Sequence, residues 1–457
     1  MNENKTSCAP ADNQQTLWDR IDWTKAELAV RKLQARIVKA QKEGRYNKVK
    51  ALQWTLTHSF YAKALAVKRV TSNGGGNTPG VDMETWEKPE AKTQAISELK
   101  RRGYQPMPLR RVHIKKSNGK LRPLGIPTMK DRAMQALYLM ALEPVSETTA
   151  DSRSYGFRKE RRCMDAVMQC HNILRKGYSP EWILEGDIKG CFDHISHEWL
   201  LANIPMDKAI LRKWLKCGYI FNKQMFPTEE GTPQGGIISP TLANMTLDGL
   251  QKVLAEKYKR VRIKGKLYSP MVNLVRYADD FLIGIIGAKE DAQAVKQEIG
   301  TYIAGQLKLE LSDEKTLVTK ATDRAKFLGF EIRVTPQSNH TKKTKSGSTA
   351  RNYSGHVMLE VPTSAIQKKL LELGAMRIDV RNGTEIWQPT YRVKLVGRTD
   401  LSILDQYNGE VRGFCNYYAI ANNRSKLHKF RYIMEYSFYK TLACKYRTTK
   451  RRIIAQY

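Results

Sequence analysis

Two adjacent aspartates inside an apolar stretch constrain this chain more than any other feature. Asp279 and Asp280 sit in Leu274-Val275-Arg276-Tyr277-Ala278-Asp279-Asp280-Phe281-Leu282-Ile283, with strand-forming residues on both sides. That pattern predicts a β-hairpin carrying the two carboxylates at its tip. Side by side and partly dehydrated, they repel each other unless a cation neutralises them. A third carboxylate, Asp187, follows a similar apolar run, Trp182-Ile183-Leu184-Glu185-Gly186. Hard divalent cations take carboxylate oxygens, and Mg2+ keeps further positions for phosphate and water. Asp187 brought beside the hairpin tip gives a two-metal site suited to nucleotidyl transfer. The competing reading is an exposed Asp279-Asp280 turn with Asp187 as a helix cap, and four residues alone leave it open.

The charge balance favours a polyanionic partner. The chain has 78 Lys and Arg against 45 Asp and Glu, a formal net charge of +33 and a pI near 9.8. Nucleic acid fits such a balance better than an anionic membrane surface does. Met1 to Gln15 is polar with no signal-peptide core, and no apolar run is long enough to span a bilayer. The seven cysteines form no Cys-x-x-Cys pair, so neither a zinc ribbon nor a disulfide framework is indicated. A cytoplasmic protein without a membrane partner is expected.

At 457 residues with 41% apolar content, the chain suits two or three domains with real cores. Asp22 or Thr24 is a candidate cap for a helical run through Val30, Leu33 and Ile37 that Gly44 can end. A second periodic run passes through Val49, Leu52, Leu56, Phe60 and Ala64. The breaker Ser72-Asn73-Gly74-Gly75-Gly76-Asn77-Thr78-Pro79-Gly80 lacks the Lys-Ser/Thr ending of a P-loop and reads as a connector. From Val81 to about Val334, short strands mix with helices, which marks an α+β domain. The polar, basic run that follows reads as a linker. Leu404 to Tyr446 is helical in pattern and crowded with Tyr, Phe, Lys and Arg.

Ordered blocks along the chain resemble the reverse transcriptases encoded by bacterial group II introns. Asn77-Thr78-Pro79-Gly80-Val81-Asp82 resembles the end of that family's N-terminal extension. Leu121-Arg122-Pro123-Leu124-Gly125-Ile126-Pro127 and Ser154-Tyr155-Gly156-Phe157-Arg158 resemble the first two polymerase blocks. Asp187-Ile188-Lys189-Gly190-Cys191-Phe192-Asp193 and Gly231-Thr232-Pro233-Gln234-Gly235-Gly236 resemble the third and fourth. The Tyr277-Ala278-Asp279-Asp280 hairpin is similar to the fifth, and Leu311 to Thr316 and Phe327 to Phe330 are similar to the last two. Gly413-Phe414-Cys415-Asn416-Tyr417-Tyr418-Ala419, with the basic residues after it, resembles the maturase or thumb domain.

The resemblance implies an α+β right-hand polymerase. Residues 1–80 would form a helical N-terminal extension, 81–335 the fingers and palm, 336–355 a polar basic linker or loop, and 356–457 a helical thumb or maturase domain. It implies an RNA-directed DNA polymerase using two Mg2+ ions, with Mn2+ as a substitute, held by Asp187, Asp279, Asp280 and the Ile188 carbonyl. Arg122 would grip the incoming triphosphate, with Lys116 and Lys120 as further candidates. Phe192 would exclude a 2′-hydroxyl, Gln234 would approach the nucleotide, and Lys315 would donate a proton to the leaving pyrophosphate. Tyr155, Phe157 and Arg158 would line the template path, and Tyr418, Lys426, Lys429 and Arg431 would contact RNA. The implied partners are group II intron RNA, whose splicing and mobility the protein would assist, an RNA template with a DNA primer, target DNA, and deoxynucleoside triphosphates.

There are departures from the pattern. Lys159-Glu160 stands where Pro-Gly is frequent, Met83 where glycine is common, and Lys115 where proline is frequent. The endonuclease of many relatives is not evident. The rival classes are a maturase without polymerase activity, a reverse transcriptase recruited to another task, and an RNA-directed RNA polymerase. The intact carboxylates speak against the first, the maturase-like thumb against the second, and Phe192 against the third.

Overall fold

A computed structural model describes residues 16–456 apart from 116–118, 120, 176–179, 233–234, 259–260, 264–265, 269–270, 337–340, 344–345, 348 and 352–354. Lys116, Lys120 and Gln234 thus lie outside the described residues. The chain forms two compact units. One comprises the residues up to 152, with 188–250 and 301–310; the other comprises 153–187, 251–300 and 311–457.

In the first unit, the N-terminal periodicity becomes three helices, Trp23–Lys42, Tyr46–His58 and Phe60–Thr71. Asp22 caps the first, its carboxylate accepting the Lys25 N–H at 2.9 Å, and Gly44 beyond the last turn takes a φ of 68°. That left-handed conformation suits glycine at a helix end. The second periodic run is split at Ser59, whose backbone is extended (φ −66°, ψ 131°). Val49, Leu52, Leu56 and Ala64 are buried by the two halves, whereas Phe60 at the new start is exposed. All three helices pack on Met129–Thr149, which is buried along most of its length. The same unit holds a four-stranded sheet in the order Leu121–Ile126, Leu109–Lys115, Tyr219–Phe221, Gln224–Phe226.

The second unit is built on an antiparallel sheet in the order Leu317–Lys320, Trp182–Asp187, Asp280–Ile286, Met271–Tyr277. Helix Cys163–Leu174 covers one face with Ala166, Val167, Cys170 and Ile173. That core continues through a second sheet, Ala325–Phe327, Phe330–Val334 and Val357–Glu360, into Phe430, Ile433 and Met434 of helix Leu427–Lys445. Burial of such a contiguous apolar set is the main stabilising term of the unit.

The C-terminal region differs from a purely helical reading. Besides the helices Thr363–Glu372, Asp400–Tyr417, Leu427–Lys445 and Lys450–Gln456, it contains the ribbon Met376–Arg381 and Thr384–Pro389. Asn382 and Gly383 turn that ribbon with φ values of 49° and 73°, the backbone a two-residue hairpin loop needs. The stretch read as a linker carries a pair of short strands, Thr341–Lys343 and Thr349–Arg351. Among the described residues, no helix is long and apolar enough to cross a membrane.

Candidate active site

The three carboxylates meet at one edge of the sheet in the second unit. Strand register places Asp187 directly opposite Asp280, and Asp280 opposite Tyr277. Ala278 and Asp279 are left as the two-residue loop of the expected hairpin. Gly186 explains how the strands close beside the acidic groups. A Cβ there would lie 2.1 Å from the Phe281 ring, so only glycine lets that buried ring cross the strand.

Like charges directly opposite each other on neighbouring strands are destabilising. The structure answers with Lys315, whose Nζ lies 2.6 Å from Asp187 Oδ2. The Ser312 N–H donates to the Asp187 carbonyl at 2.8 Å, and the Lys315 N–H donates back to Ser312 at 3.1 Å. This turn delivers the ammonium to the strand end. The hydrogen bond to Asp187 holds the Lys315 ammonium above its usual pKa against the opposing effect of desolvation. Burial, then the charges of Asp187 and Asp279, pushes the Asp280 carboxyl up to about 6. A carboxyl raised by burial and by like-charged neighbours favours a cation in its proton's place.

Divalent cations suit such a cluster of carboxylates. Among the described residues, no three acidic, His or Cys side chains form a ready-made metal cage. Mg2+ does not require one, because it is commonly held by one or two carboxylates together with substrate phosphates and waters. Asp187, Asp279 and Asp280 supply carboxylates of that kind, and the buried Ile188 follows directly in the chain.

The other residues expected to function are found in one unit or the other. In the first, Arg122 is an exposed member of strand Leu121–Ile126, paired opposite Ile114. Phe192 is half-buried in the single turn Cys191–His194, and its carbonyl accepts the Thr232 N–H at 2.7 Å. Gly231 fits closely beneath that turn, since a Cβ would lie 2.5 Å from the Asp193 carbonyl oxygen. In the second, Tyr155 is half-buried with Arg161 5.3 Å from its ring centre, and Phe157 is 57% exposed. Arg158 Nη1 donates to the Ser154 carbonyl at 2.9 Å.

One RNA-contact expectation is corrected. Tyr418 is only 4% exposed, its ring packs on Phe330 and Phe414, and its hydroxyl donates to the Gly329 carbonyl at 3.1 Å. It is a core residue without a face for RNA. Lys426, Lys429 and Arg431 are exposed, and Lys429 Nζ sits 3.6 Å from the Trp387 ring centre.

Sequence reasoning passed over Arg276, which is 1% exposed and donates from Nη1 to the Ala278 carbonyl at 3.2 Å. The signal was present: an arginine inside a buried apolar strand has to be bonded.

Comparison with known proteins places the chain in a family. Residues 114–332 match the family described as reverse transcriptase (RNA-dependent DNA polymerase). Residues 18–99 match the N-terminal domain of reverse transcriptase, and residues 354–457 match type II intron maturase. The chain is 35% identical over 453 residues to the group II intron-encoded protein LtrA of Lactococcus lactis subsp. cremoris, covering 86% of this chain and 74% of that protein. It is 30% identical over 437 residues to the putative COX1/OXI3 intron 1 protein of Saccharomyces cerevisiae, covering 84% of this chain and 52% of that protein. Among solved structures, apo telomerase from Candida tropicalis is similar over 50% of this chain and 53% of that chain, at 14% identity and a TM-score of 0.36.

Proposed function

The chain belongs to the group II intron-encoded reverse transcriptases, and from that premise we propose that Asp187, Asp279 and Asp280 form its polymerase centre. It is an RNA-directed DNA polymerase that also carries a maturase domain. The observation that carries the proposal is the Asp187–Asp280 register with Asp279 in the adjoining turn. It collects three negative charges where a cation must neutralise them.

When bound, two Mg2+ ions, or Mn2+ in their place, supply activation of the primer 3′-hydroxyl and neutralise charge on the triphosphate. The remaining work falls to the chain's own residues. Arg122 offers a planar guanidinium for paired bonds to phosphate, and Phe192 bars a ribose 2′-hydroxyl. Lys315 carries its proton at Nζ beside the carboxylates, and once a metal takes its place on Asp187 it serves as the acid for the leaving pyrophosphate. Lys116, Lys120 and Gln234 remain candidates for nucleotide contact, as do Tyr155 and Phe157 for the template path.

The same reading assigns residues 1–80 to the N-terminal extension, 81–335 to fingers and palm, and 356–457 to the thumb or maturase domain. The partners are intron RNA, an RNA template with a DNA primer, target DNA and deoxynucleoside triphosphates, met in the bacterial cytoplasm. Lys426, Lys429 and Arg431 suit phosphate contacts rather than base readout. A formal net charge of +33 supports such binding.

Primer extension on an RNA template with Mg2+ and deoxynucleotides tests the polymerase. The parent should make full-length DNA and Asp279→Ala none. Intron RNA binding without DNA synthesis by either protein would favour the maturase without polymerase activity.

A further inference from the structure

The acidic hairpin turns through a residue that resists the turn. Ala278 has φ 56°, a left-handed conformation that glycine adopts freely and alanine does not. Two-residue hairpin loops with a left-handed first position ordinarily place glycine there.

Several contacts hold Ala278 in place. Arg276 Nη1, fully buried, donates to the Ala278 carbonyl at 3.2 Å. A short segment runs alongside: the Arg276 N–H donates to the Arg153 carbonyl at 3.0 Å, and the Tyr155 N–H donates to the Arg276 carbonyl at 2.9 Å. Ser154 pairs with Arg276 in parallel register. Gly156 lies directly against the turn, since a Cβ there would stand 2.5 Å from the Ala278 nitrogen. The segment is itself braced, because the Ser154 carbonyl accepts from Nη1 of both Arg158 and Arg161 at 2.9 Å.

Burying a guanidinium is unfavourable unless it is bonded, whereas glycine at 278 would adopt the left-handed φ freely. The chain instead keeps alanine and grips its carbonyl. That carbonyl belongs to the Ala278–Asp279 peptide unit, which is planar. Fixing the oxygen therefore fixes the N–H and the Cα of Asp279, the point from which its side chain departs.

We propose that Arg276 is a positioning residue for polymerisation. Through the Ala278 carbonyl it sets the peptide plane before Asp279, and with it the aim of the Asp279 carboxylate into the metal site. The inference rests on the reading of Asp279 as a metal ligand, and it gives Arg158 the role of bracing the clasp.

The test compares parent, Arg276→Gln, Arg276→Lys, Arg276→Gln with Ala278→Gly, and Asp279→Asn. The readouts are kcat and KM for deoxynucleotide per folded molecule, and Mn2+ binding by electron paramagnetic resonance without nucleic acid. Arg276→Gln should lower kcat by about thirtyfold or more with KM changed less than about threefold, the signature of a misplaced group rather than lost substrate binding. Mn2+ binding should weaken about tenfold, and adding Ala278→Gly should recover about tenfold in kcat by removing the need for the clamp. Should Arg276→Gln fail to fold, Arg276→Lys, which keeps the charge but not the forked donor, carries the same comparison. Parental kcat and Mn2+ affinity in the folded variants would overturn the proposal, as would a loss confined to KM. If Asp279→Asn polymerised normally, the reading of the metal site would fail instead.

Discussion

The ammonium of Lys315 lies 2.6 Å from a carboxylate oxygen of Asp187, across 128 residues of sequence. It neutralises one of three clustered carboxylates while remaining 66% exposed, so the contact is one that a divalent ion can displace. Lysine and metal therefore compete for Asp187. Lys315→Met should lower the Mg2+ concentration that gives half-maximal thermal stabilisation, yet slow nucleotide addition about 10- to 100-fold by removing the proton donor. Thermal melts titrated with Mg2+ and single-turnover incorporation check the two effects separately.

Asp280 makes the metal-free protein sensitive to pH in a definite direction. Its carboxyl titrates at about 6 in the folded chain against an ordinary value of 3.8. Below 3.8 both folded and unfolded chains are protonated and nothing is gained or lost. Between 3.8 and about 6 the folded chain keeps a proton that the unfolded chain gives up, so stability falls as pH rises and levels off above about 6. Asp280→Asn should remove that fall and stabilise the metal-free protein near neutral pH by about 1–3 kcal/mol, while abolishing polymerisation. Unfolding in EDTA at about pH 5 and about pH 8 measures it.

Tyr418 and Lys429 should separate stability from RNA binding. Tyr418→Ala removes a ring buried against Phe330 and Phe414 and should cost about 3–5 kcal/mol, with RNA affinity per folded molecule unchanged. Lys429→Ala should leave stability within about 1 kcal/mol, because an exposed lysine loses only its cation–π contact with Trp387. It should also weaken RNA binding and reduce the salt slope by about one ion. Melting curves and salt-dependent RNA titrations decide both.

Phe192 should control sugar selection. Phe192→Val should raise incorporation of ribonucleotides relative to deoxynucleotides by about tenfold or more, since discrimination by shape is worth roughly that much per group removed. Competition between the two nucleotide types on one template reads it directly.

Local pattern made the acidic hairpin legible. Apolar runs flank Asp279-Asp280, and a strand-like run leads to Asp187, so each strand could be read from its own neighbours. Long-range pairing was less accessible. Nothing near Lys315 in sequence points to Asp187, because the turn from Ser312 is placed by a backbone bond to a distant strand end. Tyr418 misled for a physical reason: an aromatic among cations on a helix looks the same whether it faces solvent or core, and only packing on Phe330 settles it. The ribbon Met376–Arg381 with Thr384–Pro389 had its signal in Asn382-Gly383, but the helical pattern after Leu404 dominated the reading of that region. Arg276 was visible as a charge in an apolar strand, and its partner, the Ala278 carbonyl, became evident only once the turn was formed.

As proposed above, Asp187, Asp279 and Asp280 act together as the polymerase centre, separately from the RNA-binding surface. Its most direct test is single-turnover deoxynucleotide addition to a DNA primer on an RNA template by Asp187→Asn, Asp279→Asn and Asp280→Asn, with intron RNA affinity measured on the same preparations. Each substitution should remove nucleotide addition while intron RNA affinity stays at the parental level. Near-parental addition by any one of the three folded variants would contradict it.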